Sequence, residues 1–217
     1  FNFAQHLFVR NAARARKAAF IDDRGSLSYG ELADRARRVA AALLAAGVRR
    51  EERVLLFMHD SCDWPVCFLG AMYAGIVPVA VNTLLTADDV GYTLRHSRAQ
   101  AALVSDALLP LLRSAMAQGT HEIKSVVVSH PSAALTDGAQ SLATFIAGAK
   151  PLTEPAATGP DDIGFWLYSS GSTGRPKGAV HTHGNPYWTA ELYGARVLGL
   201  TEDDVCFSAA QLFFAYG

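Results

Sequence analysis

A short segment rich in hydroxyl groups and glycine carries the residue types that could bind an anion. It spans residues 168–178 and reads YSSGSTGRPKG. Its glycines let backbone N–H groups approach a ligand closely, and successive N–H groups in a turn, joined by serine and threonine hydroxyls, form an anion-binding concavity. Lys177 adds a mobile positive charge that suits phosphate oxygens. The segment therefore predicts a loop that binds a triphosphate.

Three other interpretations fit this segment less well than a phosphate-binding loop does: a flexible linker, a Walker loop and a dinucleotide-binding turn. A flexible Gly/Ser linker is one alternative, but the apolar run at 163–167 leads directly into the segment and predicts a buried strand. A Walker loop needs glycine immediately before its lysine, and Pro176 occupies that position. A Gly-x-Gly-x-x-Gly dinucleotide turn is also absent. We therefore predict a tight phosphate-binding loop between two strands.

The segment resembles, at every position, the phosphate loop of the adenylate-forming enzymes: acyl- and aryl-CoA ligases, luciferases and the adenylation domains of peptide synthetases. The resemblance implies ATP, Mg²⁺ and coenzyme A as cofactors or cosubstrates. It also implies that an acid attacks the α-phosphorus of ATP, which releases pyrophosphate and leaves an acyl-adenylate. The residues that it assigns to the β- and γ-phosphates are Ser169, Ser170, Gly171, Ser172, Thr173, Gly174 and Lys177.

The aromatic segment LFFAYG at 212–217 is the second candidate site. From the residues alone, it is either core or the wall of an apolar pocket. Many family members have Phe-His-x-x-Gly here, and Phe214 replaces that histidine. The segment resembles that of benzoate-type aryl-CoA ligases, which implies a pocket for a small aromatic acid. The residues assigned to this aryl-acid pocket are Phe214, Ala215, Tyr216 and Gly217.

The elements that position these segments alternate along the chain. Ser28 and Glu31 have the spacing of a capping box, and the helix they begin has apolar residues at 32, 36, 39 and 43 and a stop at Gly47. Apolar runs predict strands at 54–58, 77–81, 101–104, 125–128, 163–167 and 205–208, and Pro78 favours an edge position or a strand start. Strands that are apolar throughout predict an α/β fold, with a layered, mostly parallel sheet flanked by helices.

Three prolines in residues 151–160 mark a connection. We predict a first α/β subdomain at 1–150 and, at 161–217, the truncated start of a second one that carries the phosphate loop. Landmarks at 27–32, 75–82 and 86–90 resemble the same family in the same order, as part of its large N-terminal domain. The family's adenine and ribose contacts, hinge and adenylation lysine are expected outside this chain, so the fragment alone is expected to be inactive.

Composition excludes several classes of protein. The formal charge of −1 offers no field for nucleic acid or anionic lipid. No apolar run reaches the length of a membrane span, and the three cysteines indicate neither a disulfide framework nor a zinc site. His181 and His183 could face one side of a strand, but no third ligand is close in sequence, so we predict no metal site. The odd number and spacing of the cysteines predict reduced thiols and a cytoplasmic protein.

Three functions remain open from the sequence. The first is the N-terminal part of a benzoate-like aryl-CoA ligase that uses ATP and coenzyme A, with the missing C-terminal part of its own chain as a partner. The second is a fatty-acyl-, cinnamate-like- or amino-acid-activating member of the same family. The third belongs to another class, a non-catalytic module that binds a nucleotide or an aryl acid.

Overall fold

The computed structural model describes residues 1–169 and 175–214. The strands are β1 Ala18–Asp22, β2 Gly25–Ser28, β3 Arg53–Phe57, β4 Val77–Ala80, β5 Ala101–Ser105, β6 Ser125–Ser129, β7 Gln140–Ser141, β8 Ile163–Ser169 and β9 Lys177–Thr182. The α-helices are α1 Phe3–Arg10, α2 Tyr29–Ala45, α3 Asp63–Tyr73, α4 Ala87–Ser97, α5 Leu109–Ala117, α6 Leu142–Ala147 and α7 Gly184–Thr189. A π-helical segment, Ala190–Ala195, continues α7.

A seven-stranded sheet forms the centre of the fold, with strand order β7-β6-β5-β3-β4-β8-β9. Every neighbouring pair is parallel except β8 and β9, which are antiparallel. Strands β1 and β2 form a separate hairpin. The prediction of an α/β fold with a mostly parallel sheet is confirmed.

Helices cover both faces of the sheet because successive strand residues point to opposite sides. Leu56 and Leu103 pack with α1, α2, α3 and α6 in one hydrophobic cluster. Leu55 and Val104 pack with α4 and α5 in the other. Strand β8 follows the same alternation, so Tyr168 faces the side of the sheet that α4 covers. This arrangement places α4 beside the end of β8.

The predicted boundaries of the first long helix are confirmed. The Ser28 hydroxyl accepts the Glu31 N–H while the Glu31 carboxylate accepts the Ser28 N–H, which forms the capping box at the start of α2. Its predicted apolar positions are buried: Leu32, Ala36, Val39 and Leu43. After α2, Gly47 has φ 82°, a left-handed conformation that glycine adopts without strain.

Pro78 lies in β4, which has a neighbouring strand on each side. Of the two predicted positions for Pro78, the edge strand is therefore wrong and the start of a strand is confirmed. The Val77 N–H bonds to the Glu52 carbonyl just before β3, and the Val81 N–H bonds to the Leu56 carbonyl within β3, which turns the nitrogen of Pro78 towards β8. Pairing of β4 with β8 begins only at Val79, so the missing N–H of Pro78 interrupts no ladder.

Two predictions about strands need correction. Strand β8 is half-buried rather than buried, with Ile163 exposed, because it lies next to the end of the sheet. Residues 205–208 form no strand, and the side chain of Phe207 is 93% exposed. An extended segment needs a neighbouring strand to accept its hydrogen bonds, and within the described residues this segment pairs with none.

The helix predicted at about 186–198 begins earlier, at Gly184, and changes to π-helical geometry at Ala190. The predicted connection at 151–160 has no helix or strand, and beyond it β8 joins the same sheet as β4. The division of the chain into subdomains 1–150 and 161–217 stays a prediction. Within the described ranges, the helices are too short or too polar to cross a bilayer.

Candidate functional site

The two ends of the predicted phosphate loop lie side by side at the base of a hairpin. Ser169 ends β8, Lys177 begins β9, and the two residues are directly paired across the antiparallel ladder. Both are exposed to solvent. The predicted site residues Ser170, Gly171, Ser172, Thr173 and Gly174 lie outside the described residues. The prediction of a loop between two strands is confirmed at both of its ends.

This hairpin opens at the carboxyl edge of the parallel sheet. Strand β8 runs parallel to β4, and β4 runs parallel to β3. The end of β8 at Ser169 therefore lies at the same edge as the ends of β3 and β4. In open α/β sheets, ligands bind outside the carboxyl ends of the strands. The position of Lys177 is thus one at which a ligand would be expected.

The second predicted segment is held at the same edge. Asp60, just after β3, accepts the Leu212 backbone N–H at 3.1 Å from Oδ1. Thr83, just after β4, donates from Oγ1 to Gln211 Oε1 at 3.2 Å. Phe213 is buried in the core, and Phe214 packs against that core from a partly buried position. The other predicted pocket residues, Ala215, Tyr216 and Gly217, lie outside the described residues.

Helix α4 contacts both sides of the phosphate loop. His96 Nδ1 lies 2.7 Å from the Tyr168 hydroxyl oxygen, just before the loop. The guanidinium carbon of Arg175, on the side of the loop that leads into β9, lies 5.3 Å from the centre of the Tyr92 ring. These contacts were not predicted from the sequence. The only indication in the sequence is that Tyr92 and His96 share a helix face because they are four residues apart.

A buried carboxylate, also missed from the sequence, lies at the ends of β3 and β6. The Asp63 side chain in the first turn of α3 is only 4% exposed. It accepts the Ser129 hydroxyl at 2.7 Å, His130 Nε2 lies 3.1 Å from it, and the Arg35 guanidinium forms an ion pair with it. A buried charge requires such partners. The cluster fixes α3 against the strand ends and is structural in character.

The two histidines after the loop have separate surroundings. His181 stacks on Phe165, with ring centres 4.6 Å apart, and burial lowers its pKa. His183 is fully buried, and its Nδ1 accepts the Phe3 N–H at 3.3 Å. Burial lowers the pKa of His183 to about 4. The turn into α7 is stabilised by Asn185, which accepts the Thr182 N–H, rather than by the His183 side chain.

Residues 7–217 match the family model described as AMP-binding enzyme. The chain belongs to the AMP-binding enzyme family. The resemblance carried by residues 168–178 is therefore confirmed, and so is the assignment of the chain to the large domain of adenylate-forming enzymes.

Individual members of the AMP-binding family give a finer comparison. A benzoate–CoA ligase from Thauera aromatica is 47% identical over 220 residues, which cover 100% of this chain and 41% of the relative. The crystal structure of a benzoate CoA ligase from Burkholderia xenovorans LB400 superimposes with a TM-score of 0.90 at 51% identity, covering 99% of this chain and 41% of that one. An anthranilate CoA ligase in complex with anthranoyl-AMP gives 0.93 at 34% identity, with 99% and 41% coverage. The chain thus spans about 41% of the length of these relatives.

Proposed function

We propose that this chain carries the phosphate loop and part of the acid pocket of an ATP-dependent aryl-CoA ligase. The enzyme converts benzoate, or a similar aromatic acid, to its CoA thioester through an acyl-adenylate. The observation that carries the proposal is the placement of Lys177 and Phe214 at one carboxyl edge of the sheet. The sequence identity to a benzoate–CoA ligase and an anthranilate CoA ligase supports an aromatic acid as the substrate.

The proposed chemistry has two steps. A carboxylate oxygen of the acid attacks the α-phosphorus of ATP, the bond to the bridging oxygen of the β-phosphate breaks, and pyrophosphate leaves. The thiol of coenzyme A then loses its proton as its sulfur attacks the acyl carbon, and AMP leaves with the electron pair of the broken C–O bond. Negative charge accumulates on the departing pyrophosphate, so preorganised donors and cations at that position lower the barrier.

In this proposal, the phosphate loop supplies those donors. Ser169 and Lys177 are paired residues of the ladder at the base of the loop, and we propose that the Ser169 hydroxyl and the Lys177 ammonium reach phosphate oxygens from there. The proposed phosphate-binding set remains Ser169, Ser170, Gly171, Ser172, Thr173, Gly174 and Lys177. The aromatic ring of the substrate is proposed to bind between Phe214, Ala215, Tyr216 and Gly217, since aromatic walls suit an aromatic acid.

Mg²⁺ is proposed to arrive with the triphosphate. Among the side chains that the structure describes, no three His, Cys, Asp or Glu form a group that could hold a metal ion. Bound to ATP, Mg²⁺ would neutralise part of the phosphate charge. We also propose a cytoplasmic protein, because ATP and coenzyme A are its substrates and Cys62, Cys67 and Cys206 are free thiols.

Acid-dependent exchange of pyrophosphate into ATP, measured on the full-length protein that carries this chain, tests the proposal. We expect exchange with benzoate and hydroxybenzoates, weak exchange with cinnamate, and none with long-chain fatty acids or amino acids. Addition of coenzyme A should yield benzoyl-CoA and AMP in equal amounts. Residues 1–217 alone should give no exchange, since they span only about 41% of the relatives.

The outcomes separate the competing functions. A preference for a fatty acid or an amino acid would keep the family and reject the aromatic substrate. Binding of ATP or benzoate without exchange for any acid would instead show a non-catalytic binding module. Turnover by residues 1–217 alone would show that the chain needs no further residues for catalysis.

A further inference from the structure

We propose that α4 is the platform that fixes both ends of the phosphate loop, with His96 and Tyr92 as positioning residues for ATP. This inference rests on the proposed function, because it concerns the same loop. It assigns a role to a helix that contributes no residue to the loop motif. The contacts that carry it join His96 to Tyr168 and Tyr92 to Arg175, all of them described residues.

The first contact fixes the strand that enters the loop. Tyr168 is the residue before Ser169, and the alternation of β8 points its ring towards α4. The Tyr168 hydroxyl lies 2.7 Å from His96 Nδ1. Burial raises the pKa of Tyr168 above its ordinary value. The hydroxyl therefore stays protonated and can donate to that nitrogen. The hydrogen bond joins the entry of the loop to the last turn of α4.

The second contact fixes the segment that leaves the loop. The Arg175 guanidinium lies over the ring of Tyr92, 5.3 Å from its centre, which is within the range of a cation–π interaction. Tyr92 is one helical turn before His96, and their rings stack with centres 5.4 Å apart. Arg175 is two residues before Lys177. Both sides of the loop are therefore attached to one continuous face of α4.

Helix α4 can serve as a platform because its opposite face is packed in the core. Val90 and Leu94 are buried in the core on that side of the sheet. The Thr86 hydroxyl accepts the Asp89 N–H and caps the start of the helix. A loop whose two ends are fixed loses less conformational entropy when a ligand binds. Loss of either contact should therefore weaken ATP binding.

We expect the same contacts to contribute little to the stability of the fold. His96 is exposed and Tyr92 is half-buried, and both lie on the rim of the core rather than inside it. Surface substitutions of this kind usually change stability by less than about 0.5 kcal/mol. Truncation of His96 should therefore leave a folded protein whose ATP binding can be measured.

The test compares His96→Ala, Tyr168→Phe and the double variant in the full-length protein. Each single variant should raise the KM for ATP about three- to tenfold, the range that the loss of one hydrogen bond produces. The KM for ATP of the double variant should not exceed the larger of the two single-variant KM values, because the two substitutions remove the same hydrogen bond. The KM for the aromatic acid should not change. His96→Asn, which can place an amide oxygen near the Nδ1 position, should recover most of the affinity.

Backbone amide hydrogen exchange of peptides that cover 168–178 provides a measurement that needs no activity. His96→Ala should accelerate exchange there. His121→Ala is the matched control, since His121 Nδ1 also accepts a hydrogen bond, from the Ile123 N–H, but precedes β6 at the opposite edge of the sheet. It should change neither exchange nor the KM for ATP.

The two proposals fail in different ways. Absence of activity with every acid in the unsubstituted protein would reject the proposed function, while amide exchange would still test the platform. Normal activity of that protein, with unchanged KM for ATP or unchanged amide exchange in His96→Ala, would overturn the role of α4. Equal increases in the KM values for ATP and for the acid would also overturn it, since they would indicate a general loss of structure.

Discussion

Asp60 and Leu212 are 152 positions apart in the sequence, and the Asp60 carboxylate accepts the Leu212 backbone N–H at 3.1 Å from Oδ1 and 3.3 Å from Oδ2. The bond attaches the aromatic segment at the end of the chain to the turn that follows β3. A charged acceptor makes a stronger hydrogen bond than a neutral one. The position of the proposed acid pocket therefore depends on a residue that has no aromatic character of its own.

Asp60→Ala should weaken the binding of the aromatic acid. Loss of a hydrogen bond to a charged group should raise the KM for the acid by about tenfold, with a smaller effect on the KM for ATP. Asp60→Asn keeps an acceptor oxygen and should give an intermediate value. Asp106→Ala is the control, because Asp106 accepts the Ser132 N–H at 3.0 Å at the same edge of the sheet. An equal rise in both KM values for Asp60→Ala would contradict the prediction.

Lys177→Met should reduce kcat/KM for ATP. The substitution keeps the length and most of the apolar stem of the side chain, but it removes the charge that we propose to stabilise the departing pyrophosphate. Removal of one such group from an active site typically costs about 10²-fold in rate. Lys124→Met is the matched control, since Lys124 is also exposed but lies before β6 at the amino edge. Initial-rate pyrophosphate exchange measures both variants, and equal losses would reject a specific role for Lys177.

Local features of the fold could be predicted from the sequence because they depend on neighbouring residues. The capping box of Ser28 and Glu31 and the left-handed Gly47 mark the start and end of α2 by chemistry confined to a few positions. The phosphate loop was predicted for the same reason. Its residue types are unusual, and they are consecutive.

Contacts between distant elements could not be predicted in this way. The contacts of α4 with Tyr168 and Arg175 depend on the pairing of β8 with β4, although β5, β6 and β7 lie between these two strands in the sequence. No pattern in residues 163–169 predicts which strand this segment pairs with. The run at 205–208 shows the converse, since strand-forming residues remain irregular where the described chain offers no neighbouring strand.

Arg35→Met should destabilise the fold far more than Arg38→Met on the same helix. Arg35 neutralises the buried carboxylate of Asp63, and its loss leaves that charge, among the described residues, with Ser129 and His130 as partners. We expect a loss of about 2 kcal/mol, below the full cost of breaking a buried pair because Arg35 is partly exposed. Arg38 pairs with the half-exposed Asp34 at 2.7 Å, and such surface pairs are worth under about 1 kcal/mol. Denaturant unfolding of the full-length protein would measure both, and equal losses would contradict the prediction.

His183 should make the fold sensitive to acid. Burial lowers its pKa from 6.5 to about 4 and outweighs the opposite influence of Asp162. Between these two values the unfolded chain binds a proton that the folded protein excludes. The contribution of His183 to stability is therefore fully present above pH 6.5 and is lost as the pH falls towards 4. Protonation would also remove the acceptor for the Phe3 N–H, which now bonds to Nδ1 at 3.3 Å.

His183→Asn keeps an acceptor for that N–H but does not titrate in this range, so it should remove part of the acid sensitivity. The free energy of unfolding should fall between pH 7 and pH 4.5 by about 2 kcal/mol less in the variant than in the unsubstituted protein. His59→Asn is the matched control, because the exposed His59 meets solvent in both the folded and the unfolded chain. Denaturant unfolding at several pH values measures all three proteins. Parallel curves for His183→Asn and the unsubstituted protein would show that the buried imidazole is not what excludes the proton.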